Sequence, residues 1–146
     1  MQWLSWLLWL QARNRLYNGW FQESSNEYYI DGAENEIAEI RKSLAEQNHD
    51  ELELEVGDLL WDALSLINKL DHAWLIDMDR VCTRAVAKFA ERMPYVVEWY
   101  FEWDMERRHE TWEETKKLQK SRGLDENHPL VQKVWNTIKE EIKEKK

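Results

Sequence analysis

The chain has 146 residues, 43% of them hydrophobic, which is the size of one domain with enough apolar side chains to build a core. Its net charge of −9 argues against general binding to nucleic acid or to anionic membranes, because both require a basic face. The single cysteine, Cys82, excludes a disulfide framework and a cysteine-based zinc site, and four glycines and two prolines disfavour a many-stranded β architecture.

The chain begins with an apolar run, QWLSWLLWL, over residues 2–10. The run is too short to span a bilayer, and no positive segment precedes it as in a signal peptide. It also lacks the basic polar face of a helix that lies in a membrane interface. We therefore expect a helix end buried in the core or in a subunit contact, no membrane partner, and a cytoplasmic protein.

The pattern of apolar residues and turn residues predicts an all-α protein. Asn18-Gly19 indicates a break, Asp31-Gly32 has the composition of a turn, and Asp50 and Asp77 suit helix N-caps. Helices are predicted over residues 3–29, 33–47, 51–70, 77–93, 98–122 and from 129 onwards.

Three residues mark the ends of the later helices. Pro94 ends or disturbs the fourth helix, since proline lacks the backbone N–H that a helix interior needs. Gly123 closes the charged helix that precedes it, and Pro129 opens the last helix. The last helix ends in lysine-rich sequence, which is favourable at a helix C-terminus.

Two pairs of acidic residues lie at the edges of apolar helix faces. Glu36 and Glu39 lie together on one edge of the apolar stripe of the second predicted helix, and Glu55 and Asp58 lie together on the edge of the apolar face of the third. Each pair is spaced i,i+3, which places the two Cβ atoms about 5–6 Å apart. If the two helices pack as a hairpin, the acidic edges can converge.

Four carboxylates gathered beside a core repel one another strongly. Either their pKa values rise or a cation binds between them. An all-oxygen ligand set suits a hard ion, so the pattern favours Mg2+, or Mn2+, over zinc. A solvated acidic face is the alternative interpretation.

The fourth predicted helix carries basic residues at the boundary of its apolar face. Lys88 and Arg92 lie on one edge and could hold phosphate oxygens, the arginine by its fork and the lysine as a point charge. The alternative is that they are surface residues that pair with acids. Trp61, beside Asp58, is the aromatic residue placed to stack on a base.

These motifs resemble those of a known family. Glu36-Ile-Ala-Glu39, followed after fifteen residues by Glu55-Val-Gly-Asp58, is similar to the E-x-x-E … E-x-x-D signature of the MazG-like all-α nucleoside triphosphate pyrophosphohydrolases. The similarity continues to Lys88-Phe-Ala-Glu-Arg92, which resembles the K-F-x-x-R helix of that family. It covers about residues 33–95.

The resemblance implies an activity and a set of site residues. The implied activity is Mg2+-dependent hydrolysis of an NTP or dNTP to the monophosphate and pyrophosphate. Lys88 and Arg92 would contact the triphosphate, and Val86 departs from the asparagine that many relatives have at its position. The implied metal ligands are Glu36, Glu39, Glu55 and Asp58, with Glu39 and Asp58 as the catalytic carboxylates.

The resemblance also implies an architecture. The fold would be a helical bundle of the MazG type, completed by formation of a homodimer or homotetramer. We predict a single domain over residues 1–146. It would consist of a catalytic core at 33–95, a Trp-rich helical segment at 1–30 and C-terminal helices at 98–146.

A non-enzymatic interaction protein is the competing hypothesis. It would keep the helical bundle and present tryptophan clusters to a partner. The candidate surfaces contain Trp3, Trp6 and Trp9 in one cluster and Trp99 and Trp103 in the other. A requirement for Mg2+ in pyrophosphate release distinguishes the two functions.

Overall fold

The computed structural model describes residues 2–98, 100 and 102–144. Its described residues contain helices and no strand, which confirms the all-α prediction. The helices are α1 Gln2–Tyr17, α2 Gly19–Glu23, α3 Asn26–Glu46, α4 His49–His72, α5 Met78–Arg92, α6 Pro94–Val97, α7 Met105–Arg122 and α8 Pro129–Glu144.

The helices group into two compact units, residues 1–76 and residues 77–146. In the first unit α3 and α4 form a hairpin. Gln47 ends α3 in the left-handed conformation, with φ of 56°, and Asn48 caps α4 by accepting a hydrogen bond from the Glu51 N–H. The N-cap predicted at Asp50 is therefore wrong by two residues, because the Asn48 side chain already satisfies the first turn.

The turn predicted at Asp31-Gly32 is also wrong, because α3 passes through both residues without interruption. The helix starts earlier, where the Ser25 side chain accepts a hydrogen bond from the Tyr28 N–H. Gly32 serves packing instead. A Cβ atom built on it would lie 2.2 Å from Oδ2 of Asp62, so the absent side chain lets α3 and α4 approach closely.

A buried amide joins α1 to the hairpin. Gln11 is completely buried, and its Nε2 donates to Ser65 Oγ at 2.9 Å and to the Trp61 carbonyl at 3.2 Å. Its Oε1 accepts from Asn68 Nδ2 at 3.3 Å. Since buried polar groups are stable only when they are hydrogen-bonded, this network fixes how α1 lies on α4.

The second unit packs α5 against α7 and α8. Its apolar core contains Ala87, Ala90 and Val131, with partly buried residues such as Val86 packed around them. Glu91 is also buried, and it forms an ion pair with Arg122 at the end of α7. The single-domain prediction for the whole chain stays a prediction.

Several predicted helix ends agree with the structure. Asp77 caps α5, Gly123 follows the last residue of α7 with φ of 85°, and Pro129 begins α8. The charged helix predicted from residue 98 is wrong at its start, because α7 begins at Met105. There the Asp104 side chain accepts hydrogen bonds from two first-turn N–H groups, which makes it the effective N-cap.

The tryptophans of the two predicted clusters whose side chains the structure describes are largely exposed within this chain. Trp6 and Trp9 retain 65% and 61% of their accessible surface, and Trp103 retains 79%. Burial of Trp6 and Trp9 in the chain's own core is therefore wrong, and a subunit contact stays a prediction. Trp99 and the side chain of Trp3 lie outside the described residues. Among the described helices, none is long and apolar enough to cross a membrane.

Candidate metal centre

The α3–α4 hairpin brings three of the four predicted acids together. One carboxylate oxygen from each of Glu36, Glu55 and Asp58 lies within 4.8 Å of the other two. Glu36 and Glu55 are half-buried, whereas Asp58 is exposed. We call these three residues the carboxylate cluster. They lie within reach of a single cation that enters from solvent.

Glu39 is placed beside this cluster and not in it. Its carboxylate is about half exposed, and Oε2 lies 3.7 Å from the Lys42 ammonium one turn along α3. An exposed pair of this kind contributes little to stability and leaves the carboxylate able to turn. Glu39 is still close enough to Glu55 to repel its charge.

The crowding of acids changes the protonation of Glu55. The pKa of Glu55 is raised above its ordinary value of 4.5, chiefly by a hydrogen bond with Glu36, and further by loss of water and by the charges of Glu36 and Glu39. A hydrogen bond with Glu51 acts in the opposite direction. The same crowding of negative charge would favour a cation bound between these side chains.

Asp62 lies one turn beyond Asp58 on α4 and does not belong to the carboxylate cluster. Burial raises the pKa of Asp62 above its ordinary value of 3.8, and repulsion from Asp58 adds to the effect. Its carboxylate lies against Gly32, so that the hairpin contact itself removes water from it.

These raised pKa values predict how stability depends on pH. Glu55 and Asp62 hold protons more tightly in the folded protein than in the unfolded chain, so their contribution to stability is full at pH below about 4 and is lost as the pH rises through the raised values. In metal-free protein, Glu55→Gln and Asp62→Asn should therefore become more stable relative to wild type as pH increases towards 7. Urea unfolding at a series of pH values measures this difference.

A matched control is available on the same hairpin. Glu34 is exposed on α3, and Glu34→Gln removes the same charge. Its stability relative to wild type should change less with pH than that of Glu55→Gln. Equal pH dependence for Glu34→Gln and Glu55→Gln would contradict the prediction.

The donor set fits a divalent cation. Carboxylate oxygens are the ligands that Mg2+ and Mn2+ prefer, and no histidine or cysteine belongs to this group of described side chains. A divalent cation would also offset the repulsion that raises the pKa of Glu55.

The two predicted phosphate ligands lie in the second unit. Lys88 and Arg92 are one turn apart on α5. The Lys88 ammonium is 5.3 Å from the centre of the Phe89 ring, and the Arg92 guanidinium is 5.1 Å from the centre of the Trp112 ring. Both cations therefore rest on aromatic faces.

The residue that positions Arg92 was not among the predicted site residues. Gln119 on α7 is buried, its Oε1 accepts from Arg92 Nε at 2.9 Å, and its Nε2 donates to the Lys88 carbonyl at 3.2 Å. Gln119 lies in a lysine-rich stretch of α7, and no motif there indicates that it contacts Arg92.

Trp61 lies on α4 in the first unit, and its side chain is half-buried. Its backbone carbonyl accepts the hydrogen bond from Gln11, which holds this part of α4 against α1. Stacking of its ring on a base stays a prediction.

This chain is similar to known proteins in its sequence and in its fold. A family model described as the MazG nucleotide pyrophosphohydrolase domain matches residues 24–97. The crystal structure of a MazG-related protein from Thermotoga maritima is similar, with a TM-score of 0.72 and 26% sequence identity over 77% of this chain and 98% of that chain. A search of curated proteins finds no match.

The matched segment covers half of the chain and includes the hairpin with its carboxylate cluster. The likeness to the Thermotoga maritima structure confirms the all-α MazG-like fold. The chain therefore belongs to the MazG nucleotide pyrophosphohydrolase domain family.

Proposed function

We propose that this protein hydrolyses a nucleoside triphosphate, an NTP or dNTP, to the monophosphate and pyrophosphate in a Mg2+-dependent reaction. The observation that carries the proposal is the carboxylate cluster on the α3–α4 hairpin of a MazG domain. Three carboxylates held this close in the fold are a costly arrangement unless a cation binds them.

Glu36, Glu55 and Asp58 would hold the cation. When bound, Mg2+ would neutralise phosphate charge that develops during the reaction. Glu36 and Glu55 are half-buried and Asp58 is exposed, so a cation held by the three would be open to a substrate on the solvent side.

Glu39 has a different role in this proposal. Its exposed carboxylate lies beside the cluster and can orient a water molecule and take its proton. The water oxygen then bonds to the α-phosphorus as the bond from that phosphorus to the oxygen that bridges the α- and β-phosphates breaks. Pyrophosphate leaves with the bridging oxygen, and the nucleoside monophosphate remains.

Lys88 and Arg92 are the proposed triphosphate contacts. Gln119 and Trp112 hold the Arg92 guanidinium in place, so little side-chain freedom is lost when it binds a phosphate. Because Gln119 engages only the Nε atom, the terminal nitrogens of Arg92 can still bind phosphate oxygens.

A homodimer or homotetramer belongs to the same proposal. Apolar side chains of α3 and α4 remain exposed, including Leu44 at 57% and Leu54 at 63%. Among the described residues, a Cβ atom at Gly57 of α4 would meet nothing within 4 Å, so none of them makes the close approach that would explain a glycine there. A second copy of the chain packed on α3 and α4 would bury the exposed leucines and bring a close neighbour to Gly57.

The function is tested by a pyrophosphate-release assay across the common NTPs and dNTPs, with and without Mg2+. We expect release from at least one nucleotide, dependent on Mg2+, with Mn2+ as a substitute. Absence of release from every nucleotide at saturating metal would overturn the proposal. It would favour the interaction protein, for which exposed Trp6 and Trp9 are the candidate surface.

A further inference from the structure

A cavity lies in the first unit, away from the carboxylate cluster. Its volume is about 320 Å³. Lys69 and His72 of its wall are 11 and 14 residues beyond Asp58 on α4, which corresponds to about 16–21 Å at 1.5 Å per residue. The residues that line it include Arg15, Phe21, Gln22, Asn26, Lys69 and His72.

Lys69 carries the strongest feature of this cavity. Lys69 is half-buried, and its ammonium donates to the Phe21 carbonyl at 2.6 Å and lies 4.9 Å from the centre of the Phe21 ring. No carboxylate of the described residues lies within ion-pair distance of it. An ammonium has three donors, and the carbonyl uses one, so a partly desolvated charge lacks a counter-ion.

Arg15 adds a second positive charge to the wall. Its guanidinium lies 4.0 Å from Asp71 Oδ2, which is the distance limit for an ion pair. The side chains of Arg15 and Asp71 are 38% and 35% exposed. A guanidinium has five donors, most of which remain for another acceptor. Among the described residues that line the cavity there is no aspartate or glutamate.

The N-terminus of α3 reaches the same cavity through Asn26, its first residue. First-turn N–H groups have no acceptor within their own helix and carry a partial positive charge. The Ser25 side chain accepts only the Tyr28 N–H. The cavity thus combines two cationic side chains, the imidazole of His72 and a helix N-terminus.

We propose that this cavity binds the phosphate group of a small anion, at a site separate from the metal centre. A phosphate can accept from the Arg15 fork, the Lys69 ammonium and backbone N–H groups of α3 together. The volume is that of a small-ligand pocket, which leaves room for a group attached to the phosphate. Free phosphate or pyrophosphate and a nucleoside monophosphate share this chemistry.

The test is calorimetric titration of the full chain in metal-free buffer with inorganic phosphate, pyrophosphate and a nucleoside monophosphate. We expect saturable binding with one ligand per chain. Arg15→Gln and Lys69→Gln should each weaken it about tenfold, since a charge-assisted hydrogen bond is lost. Circular dichroism identifies any variant that fails to fold, and two variants are used because Lys69 also binds the Phe21 carbonyl.

Arg13→Gln is the matched control. Arg13 lies on the same helix as Arg15 but contacts the Trp9 and Tyr17 rings, and its replacement removes the same charge. It should leave the affinity within about twofold of wild type. Equal weakening by Arg13→Gln and Arg15→Gln, or no saturable binding of any of the three ligands, would overturn the proposal.

The three ligands also identify the source of the phosphate. Tighter binding of the monophosphate than of inorganic phosphate indicates a nucleotide, and equal or weaker binding indicates a free phosphate. Both results support the site. Because the titration contains no metal and no triphosphate, its failure is distinguishable from failure of the proposed hydrolysis.

Discussion

Asp58→Asn should lower Mg2+-dependent pyrophosphate release by roughly 100- to 1000-fold, the size of effect found when one group that stabilises transition-state charge is removed. The substitution keeps the shape of the side chain but removes a charge from the carboxylate cluster. It should also raise the Mg2+ concentration needed for half-maximal rate by at least about tenfold. Initial rates measured across a Mg2+ titration give both quantities.

Glu39→Gln should separate catalysis from metal binding. Because Glu39 lies outside the cluster, we expect a loss of turnover of about 100-fold or more with a half-saturating Mg2+ concentration within about threefold of wild type. Glu34→Gln, on the exposed face of α3, is the control and should keep the wild-type rate. A wild-type rate for Asp58→Asn would refute the assignment of the metal centre.

Arg122→Gln should reduce the free energy of unfolding by about 2 kcal/mol, the size expected when a buried charged group loses its hydrogen-bond partner. Glu91 is 6% exposed, and among the described side chains its Oε1 atom has no hydrogen-bond partner. Its other oxygen depends on Arg122, so that the substitution leaves a buried carboxylate without its cation. Urea unfolding of the full chain, followed by circular dichroism, measures the change.

Two further variants show whether the buried charge is responsible. Lys120→Gln removes an exposed charge from the same turn of α7 and should change the free energy of unfolding by less than about 0.5 kcal/mol. The double variant Glu91→Leu/Arg122→Met should recover most of the loss, because apolar side chains can replace a buried pair. If Arg122→Gln matched wild type, the pair would contribute nothing to stability.

The helices with clear sequence signals could be predicted well. α5 begins after the Asp77 cap, and α8 begins at Pro129, because a capping side chain and a ring-fixed φ act locally. The turn expected at Asp31-Gly32 fails for the opposite reason. Gly32 is required by contact with Asp62, thirty residues away, and such a contact leaves no local mark in the sequence.

Part of the candidate site could be predicted from the sequence, because the spacing of residues along a helix, like a helix cap, acts locally. The i,i+3 spacing places Glu55 and Asp58 on one edge of α4, and the hairpin brings Glu36 to them. By spacing alone, Glu39 lies on the same helix edge as Glu36, one turn further along α3. In the structure, the Glu39 carboxylate points towards Lys42 instead. Side-chain direction depends on neighbours and could not be predicted from the spacing.

The short link at Gln47-Asn48 restricts how this hairpin can change in length. Gly32 and Asp62 are each 15 residues from Gln47, and Glu36 and Asp58 are each 11 residues from it. One residue inserted in α3 after Glu36 would rotate the Glu36 side chain about 100° around the helix axis, relative to the acids of α4. An insertion keeps the acids facing one another when both helices lengthen together by a near-whole number of turns, for example by about seven residues, which nearly restore the original direction.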